Sequence, residues 1–243
     1  MIPVITIEGA TATGKSALAI ALAEDFETEI ISADSRQVYR FLDIGTAKVS
    51  KEEQQRVKHH LLDIINPDET YNAGNFVADA EKIIADLYSK GKIPIICGGS
   101  GLYIKALLEG IFAHPPLPKN IRETLKQRLK DEGLAVLYAD LQKCDPEFAA
   151  QISKNDTQRI LRGLEVFLGT GIPLSEHWHN QKESQKYNVF RILIDIPRSE
   201  LYKRINLRME KMLADGLLKE IEDLLAMGYS DSSPALNCMV YKE

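Results

Sequence analysis

The chain has 243 residues, with 30 Lys+Arg against 35 Asp+Glu and a formal net charge of -5. At 44% hydrophobic and 27% charged residues it is too apolar for a disordered chain, and its length suits one domain or one domain with an insertion. Its apolar runs fall far short of the ~20 residues of a membrane helix, its start MIPVITIEGA lacks the regions of a signal peptide, and its three cysteines, without metal-ligand spacing, suit a reducing cytoplasm better than a disulfide scaffold.

In chain order, residues 3–7 (Pro-Val-Ile-Thr-Ile) predict a strand that runs into a Gly-containing turn. The alanine- and leucine-rich stretch 16–23 predicts a helix. Residues 29–33 predict a second strand that ends at Asp34, and 75–90 a long helix with apolar residues at helical spacing. Residues 93–97 predict a third strand, followed by Gly98-Gly99-Ser100-Gly101 and another helix. From 115 to 186 the pattern turns helical, with helices expected at 120–132, 133–143 and 156–168. A buried strand at 190–196 and helices at 199–215 and 216–227 complete the series. Strands alternating with helices imply an α/β fold: a parallel sheet flanked by helices, with function at the C-terminal strand ends. The expected division is a core of residues 1–114 and 187–243 and a helical insertion of residues 115–186.

Charge is uneven along this plan. Residues 1–110 hold 11 basic and 16 acidic residues, and the remainder 19 of each. Residues 119–130 carry five basic and one acidic residue, and 203–211 four and one. Such patches either bind phosphates or are simply solvated helix faces.

The sharpest motif is Gly9-Ala10-Thr11-Ala12-Thr13-Gly14-Lys15-Ser16, which satisfies G-x-x-x-x-G-K-[ST] between a predicted strand and a predicted helix. In such a P-loop, backbone N–H groups and the helix N-terminus face phosphate oxygens. Lys15 adds a cation and Ser16 a hydroxyl ligand for Mg²⁺. The motif occurs in ATP- and other nucleotide-binding proteins. It specifies phosphate, not the phosphate compound, so the fold is expected to be P-loop NTPase-like.

Asp34, in Ser32-Ala33-Asp34-Ser35-Arg36-Gln37, either orients Mg²⁺ or takes a proton from a nucleophile, or else caps a helix. Ser100 either hydrogen-bonds a phosphate or base or caps the next helix. His59 and His60 are adjacent, so on a strand they face opposite ways, a poor geometry for shared metal binding. Arg159 and Arg162 share a helix face with spacing i, i+3, placed for RNA phosphates or for water. Arg204 and Arg208, at i and i+4, are spaced to reach over a phosphate site. Trp178, the single tryptophan, is expected in core or edge packing.

Taken in order, these segments resemble the tRNA dimethylallyltransferase (isopentenyl-diphosphate:tRNA transferase) family. The likeness runs from residue 4 to 243 and also rests on Asp43-Ile44-Gly45-Thr46-Ala47-Lys48, His59-His60-Leu61-Leu62-Asp63 and Asn155-Asp156-Thr157-Gln158-Arg159-Ile160-Leu161-Arg162. The resemblance implies transfer of a dimethylallyl group from dimethylallyl diphosphate to N6 of the adenosine beside the anticodon of tRNA, with Mg²⁺, by a cytoplasmic monomer. By position, Asp34 would deprotonate the adenine amine, with Thr13, Lys15 and Ser16 around the diphosphate and metal. Arg204 would neutralise the departing pyrophosphate. Asp34, Ser35, Arg36, Gln37, Ser100, Arg122, Gln158, Arg159, Ile160, Leu161 and Arg162 would touch tRNA, and the insertion would grip the anticodon stem-loop.

Two departures stand out. Ala10 replaces the usual Pro, and Val240 the usual Gly before Tyr-Lys-Glu, where a β-branched residue would strain a left-handed backbone. Family members also continue through further helices and a basic, aromatic segment over the active site, so a fragment, a decayed gene product or a shortened member is expected. Two other readings stay open: a P-loop small-molecule kinase, and a non-catalytic tRNA- or phosphate-binding remnant.

Overall fold

The computed structural model describes residues 1–110, 117–180 and 186–242. Five strands, β1 (Ile2–Gly9), β2 (Ile30–Ser32), β3 (His59–His60), β4 (Ile95–Cys97) and β5 (Tyr187–Ile194), form one sheet ordered β3-β2-β4-β1-β5. Every neighbouring pair is parallel. The helices are α1 (Lys15–Asp25), α2 (Lys51–Arg56), α3 (Ala73–Ser89), α4 (Gly101–Glu109), α5 (Lys119–Glu132), α6 (Leu134–Cys144), α7 (Pro146–Gln151), α8 (Thr157–Thr170), α9 (Leu174–His179), α10 (Arg198–Ala214), α11 (Leu217–Ala226) and α12 (Met239–Lys242). This is the α/β, P-loop-like fold expected from the strand–helix alternation.

Period-two strand geometry sorts the core. Val4, Ile31 and Ile96 join Phe76, Ala80 and Ile84 of α3 and Ile104 and Leu107 of α4 in one apolar cluster. Ile5, Ile7, Ile30 and Ile95 join Ala19, Ile20 and Ala23 of α1 in another. The short β2 and β4 are buried throughout, so they read as unbroken apolar runs rather than alternating ones.

The strand at the other edge departs from expectation. β5 begins at Tyr187 rather than 190, pairs only with β1, and leaves Phe190 66% and Leu193 73% exposed. A mainly apolar run looks the same whether it is central or on an edge. Position in the sheet, not composition, decides its burial.

The chain forms two compact units, Met1–Ile111 with Ser184–Glu243, and Phe112–Glu183. The second has its own core of Leu125, Leu137, Leu141, Phe148, Ile160 and Leu164. Inside it, fully buried Asp145 accepts hydrogen bonds from the Phe148 N–H at 3.0 Å, the Ser175 N–H at 3.0 Å and the Ser175 hydroxyl at 2.6 Å. One carboxylate thus satisfies the N-termini of both α7 and α9. Trp178 packs edge-on to Phe148 at 5.2 Å and is 42% exposed, so it sits at the edge of this core rather than within it. The boundary residues 114–116 of the anticipated division lie outside the described residues. No described helix is long and apolar enough to cross a membrane.

Candidate active site

Three strand ends converge on one cavity of ≈ 490 Å³. The end of β1 delivers the P-loop, that of β2 delivers Asp34, and that of β4 delivers Gly98–Ser100. Parallel strands put all their carboxyl ends on one edge, which is why segments far apart in sequence meet here.

The P-loop is built by backbone geometry. Gly9 has φ +148, and a Cβ there would lie 2.6 Å from the Ile194 carbonyl oxygen of β5. Gly14 has φ +94 and leads into α1. Ala12 takes a left-handed φ of 62 without being glycine, a strained state often kept at functional loops. Thr13 is buried, and its hydroxyl donates to the Ala10 carbonyl at 2.9 Å, bracing the loop from within. Lys15 Nζ donates to the same carbonyl at 2.5 Å. Gly9, Ala10, Thr11, Lys15 and Ser16 line the cavity, whereas Ala12, Thr13 and Gly14 shape the loop behind it.

Asp34 also lines the cavity. Its Oδ1 accepts the Arg36 and Gln37 N–H groups at 2.8 and 3.3 Å. Its Oδ2 has no hydrogen-bond partner among the described residues. The turn-capping and functional readings therefore hold together, one per oxygen. Ser100 makes no cap bond to α4; its hydroxyl instead accepts the Ser35 N–H at 2.9 Å, tying the β2 and β4 exits. Gly98 is required for that approach, because a Cβ would collide with the Ala33 backbone.

Arg208 completes the wall. Burial lowers its affinity for a proton and Asp34 opposes that loss. Burial likewise lowers the Lys15 ammonium, with Asp34 opposing and Arg208 adding to the loss. Burial pushes the Cys97 thiol up to about 11, so it is neutral at pH 7. Two partly desolvated cations with a single facing carboxylate favour an anionic ligand. Arg204 does not reach the cavity. Its Nε bonds Glu200 at 3.0 Å on an exposed stretch of α10. Counting helical spacing put both arginines on one face; only the surrounding fold shows which turn meets the P-loop.

The other anticipated residues divide sharply. Ser35, Arg36 and Gln37 all line the cavity. The Arg36 guanidinium is engaged with the carbonyls of Pro234, Ala235 and Asn237 at 2.9, 3.4 and 3.1 Å. Arg122, Gln158 and Arg159 are exposed on the second unit, Arg159 paired with Asp156 at 2.8 Å. Arg162 pairs with Glu165 at 3.1 Å. Ile160 is fully buried and so presents no surface to RNA, whereas Leu161 is partly buried against the same core. His60 bonds Glu29 at 2.7 Å, while His59 lines the cavity and bonds the Val57 carbonyl at 2.8 Å. Val240 sits in the helical turn α12, not in a left-handed conformation, so the expected strain does not arise.

Sequence reasoning passed over α2, whose Ser50-x-x-Glu53 capping box was legible. It also passed over Glu220 and Tyr241, whose partners are 175 and 21 residues away; no local pattern signals such pairs.

Fold and cavity define a P-loop α/β protein in which the loop and a carboxylate line one cavity at the carboxyl edge of the sheet. The family model described as IPP transferase matches residues 37–243. The tRNA dimethylallyltransferase of Desulfosudis oleivorans is 46% identical over 241 residues, covering 98% of this chain and 76% of that protein. That of Thermosipho melanesiensis is 48% identical over 237 residues, with 98% and 77% covered. A tRNA delta(2)-isopentenylpyrophosphate transferase structure from Staphylococcus epidermidis superposes with a TM-score of 0.68 at 38% identity, over 100% of this chain and 79% of that one. A eukaryotic dimethylallyltransferase acting on tRNA gives 0.82 at 31% identity, over 96% and 58%. The chain belongs to the IPP transferase family.

Proposed function

We propose that this chain transfers a dimethylallyl group from dimethylallyl diphosphate to N6 of the adenosine next to the anticodon in tRNA. The observation that carries the reading is the cavity's polarity. P-loop residues, Lys15, Arg208 and Asp34 line one space, and Asp34 Oδ2 has no hydrogen-bond partner among the described residues. Relatives named for this activity, at 42–48% identity, support it.

The diphosphate lies along the P-loop amides, with Lys15 and Arg208 as counter-charges. The adenine N6 attacks C1 of the dimethylallyl group. The C1–O bond to diphosphate breaks, its electron pair leaves with pyrophosphate, and the N6 proton passes to Asp34 Oδ2. The two cations stabilise charge that grows on the leaving oxygens. The Ser16 hydroxyl lines the same cavity and is a hard oxygen donor suited to Mg²⁺. When bound, the ion would add positive charge against the leaving group; Ser16, with Asp34 nearby, would hold it. The target base must leave its stack to reach Asp34. Exposed Arg122, Gln158 and Arg159 are proposed to contact the stem by backbone and shape.

Asp34→Ala should lower labelled prenyl incorporation into tRNA by about 10²–10⁴-fold while the fold is kept. Undiminished incorporation would remove Asp34 from the chemistry.

A further inference from the structure

The Glu220 carboxylate of α11 makes contacts unlike those of a surface glutamate. Its Oε2 accepts the Asp43 and Ile44 N–H groups at 2.8 and 2.7 Å, and its Oε1 accepts the Gly45 N–H at 3.0 Å. The Tyr241 hydroxyl donates to the same Oε1 at 2.6 Å. Three successive amides around one anion form a nest. Gly45 makes the fourth bond possible, since a Cβ there would lie 2.5 Å from Tyr241 Cζ and from its hydroxyl.

The next two residues of this turn face the cavity. Thr46 and Ala47 line it, and Ala47 has φ 44. Their carbonyls accept the Gln37 side-chain amide at 3.2 and 3.1 Å. The Thr46 carbonyl also accepts Arg208 Nη2 at 3.5 Å. Gln37 lies in the turn whose amides hold Asp34 Oδ1. An unbroken series of hydrogen bonds therefore runs from Glu220 through the 43–47 turn to Gln37 and the Asp34 turn, with a weaker branch to Arg208. The Glu220 and Arg208 links come from distant segments, while bonds from the Ala47 N–H to the Ile44 carbonyl and from the Lys48 N–H to the Asp43 carbonyl hold the turn's own shape.

We propose that Glu220, held by Tyr241, is a positioning residue: it fixes the 43–47 turn, which aims Gln37 and Arg208 at the cavity. The proposal rests on the prenyl-transfer reading above for its kinetic consequence, but its structural part stands apart. Glu220 touches no reacting atom. Its effect on turnover runs through groups whose misplacement by about 1 Å can cost 10²-fold.

Two measurements on the full chain separate this role from plain stabilisation. In the first, Glu220→Ala lowers kcat for prenyl transfer by about 10²-fold with little change in KM for dimethylallyl diphosphate, well below the melting temperature. Tyr241→Phe, a milder change should Glu220→Ala fold poorly, shifts kcat the same way by about 3- to 10-fold, the scale of one ordinary hydrogen bond. In a Gln37→Ala background the Glu220 substitution loses most of its effect, because both act through one series of bonds. Equal fold-losses in both backgrounds, or an unchanged kcat, would overturn the proposal.

In the second, amide hydrogen exchange is followed in Tyr241→Phe without any substrate. Positioning predicts faster exchange at 43–45 and also at Arg36 and Gln37. Acceleration confined to 43–45 would overturn it. Absence of prenyl transfer by the unsubstituted chain, with this exchange pattern present, would count against the proposed reaction and not against the series.

Discussion

The two oxygens of Asp34 are used differently. Oδ1 holds the turn through the Arg36 and Gln37 amides, and Oδ2 is left for the cavity. A carboxylate whose orientation is fixed through one oxygen offers the other in a set direction, which is what proton transfer needs. A similar contrast separates Arg204 from Arg208, one helical turn apart. Arg204 pairs with Glu200 in solvent, and Arg208 is half-buried against the cavity. Arg208→Gln should lower kcat by about 10²–10³-fold, the scale of one lost transition-state donor. Arg204→Gln should stay within about 5-fold, as for an exposed ion pair. Steady-state kinetics on both variants would check this, and equal losses would show that the site extends to Arg204. Identity of the P-loop, Asp34 and Ser100 was legible because each follows a strand in a recognisable pattern. The choice between two arginines at i and i+4 was not, because it depends on how α10 meets the sheet.

Among elements, the β2–β3 edge carries a charge cluster that fold-level patterns do not reveal. Glu29 just before β2 meets His60 of β3 at 2.7 Å, Lys92 at 3.1 Å and Lys58 at 3.2 Å. Burial alone would raise the Glu29 carboxyl. Hydrogen bonds from His60, Lys92 and Lys58 outweigh it and bring it to about 2. The folded value lies below the unfolded one, so this stabilisation is full above the unfolded carboxylate range and fades as pH falls toward 2. The melting temperature should therefore drop between about pH 5 and 2. Glu29→Gln should flatten that limb. An identical acid limb in the variant would refute the assignment. In the second unit, Asp145→Ala removes both N-terminal bonds of α7 and α9 and the partner of a buried hydroxyl. A cost of about 2–4 kcal/mol in denaturant unfolding is expected. A loss below about 0.5 kcal/mol, the range of a neutral surface change, would show that the caps are redundant.

At the scale of the whole molecule, strand–helix alternation was enough to give the parallel sheet and the functional edge, because burial on both faces forces apolar β runs. Edge status was hidden: Phe190 and Leu193 read as buried yet are exposed. So was the inward turn of Ile160 and Leu161, which sit in a motif otherwise made of polar, RNA-like residues. Long-range bonds such as those of Glu220 join segments 175 or more residues apart, and only folding brings them together. The central claim is that this P-loop holds an allylic diphosphate and that Asp34 presents a tRNA adenosine to it. The most direct measurement is mass analysis of nucleosides from unmodified tRNA incubated with the protein, Mg²⁺, dimethylallyl diphosphate and ATP. The account predicts N6-dimethylallyladenosine at the position beside the anticodon, released pyrophosphate and intact ATP. Unmodified adenosine with ADP accumulating would contradict it and point to a kinase.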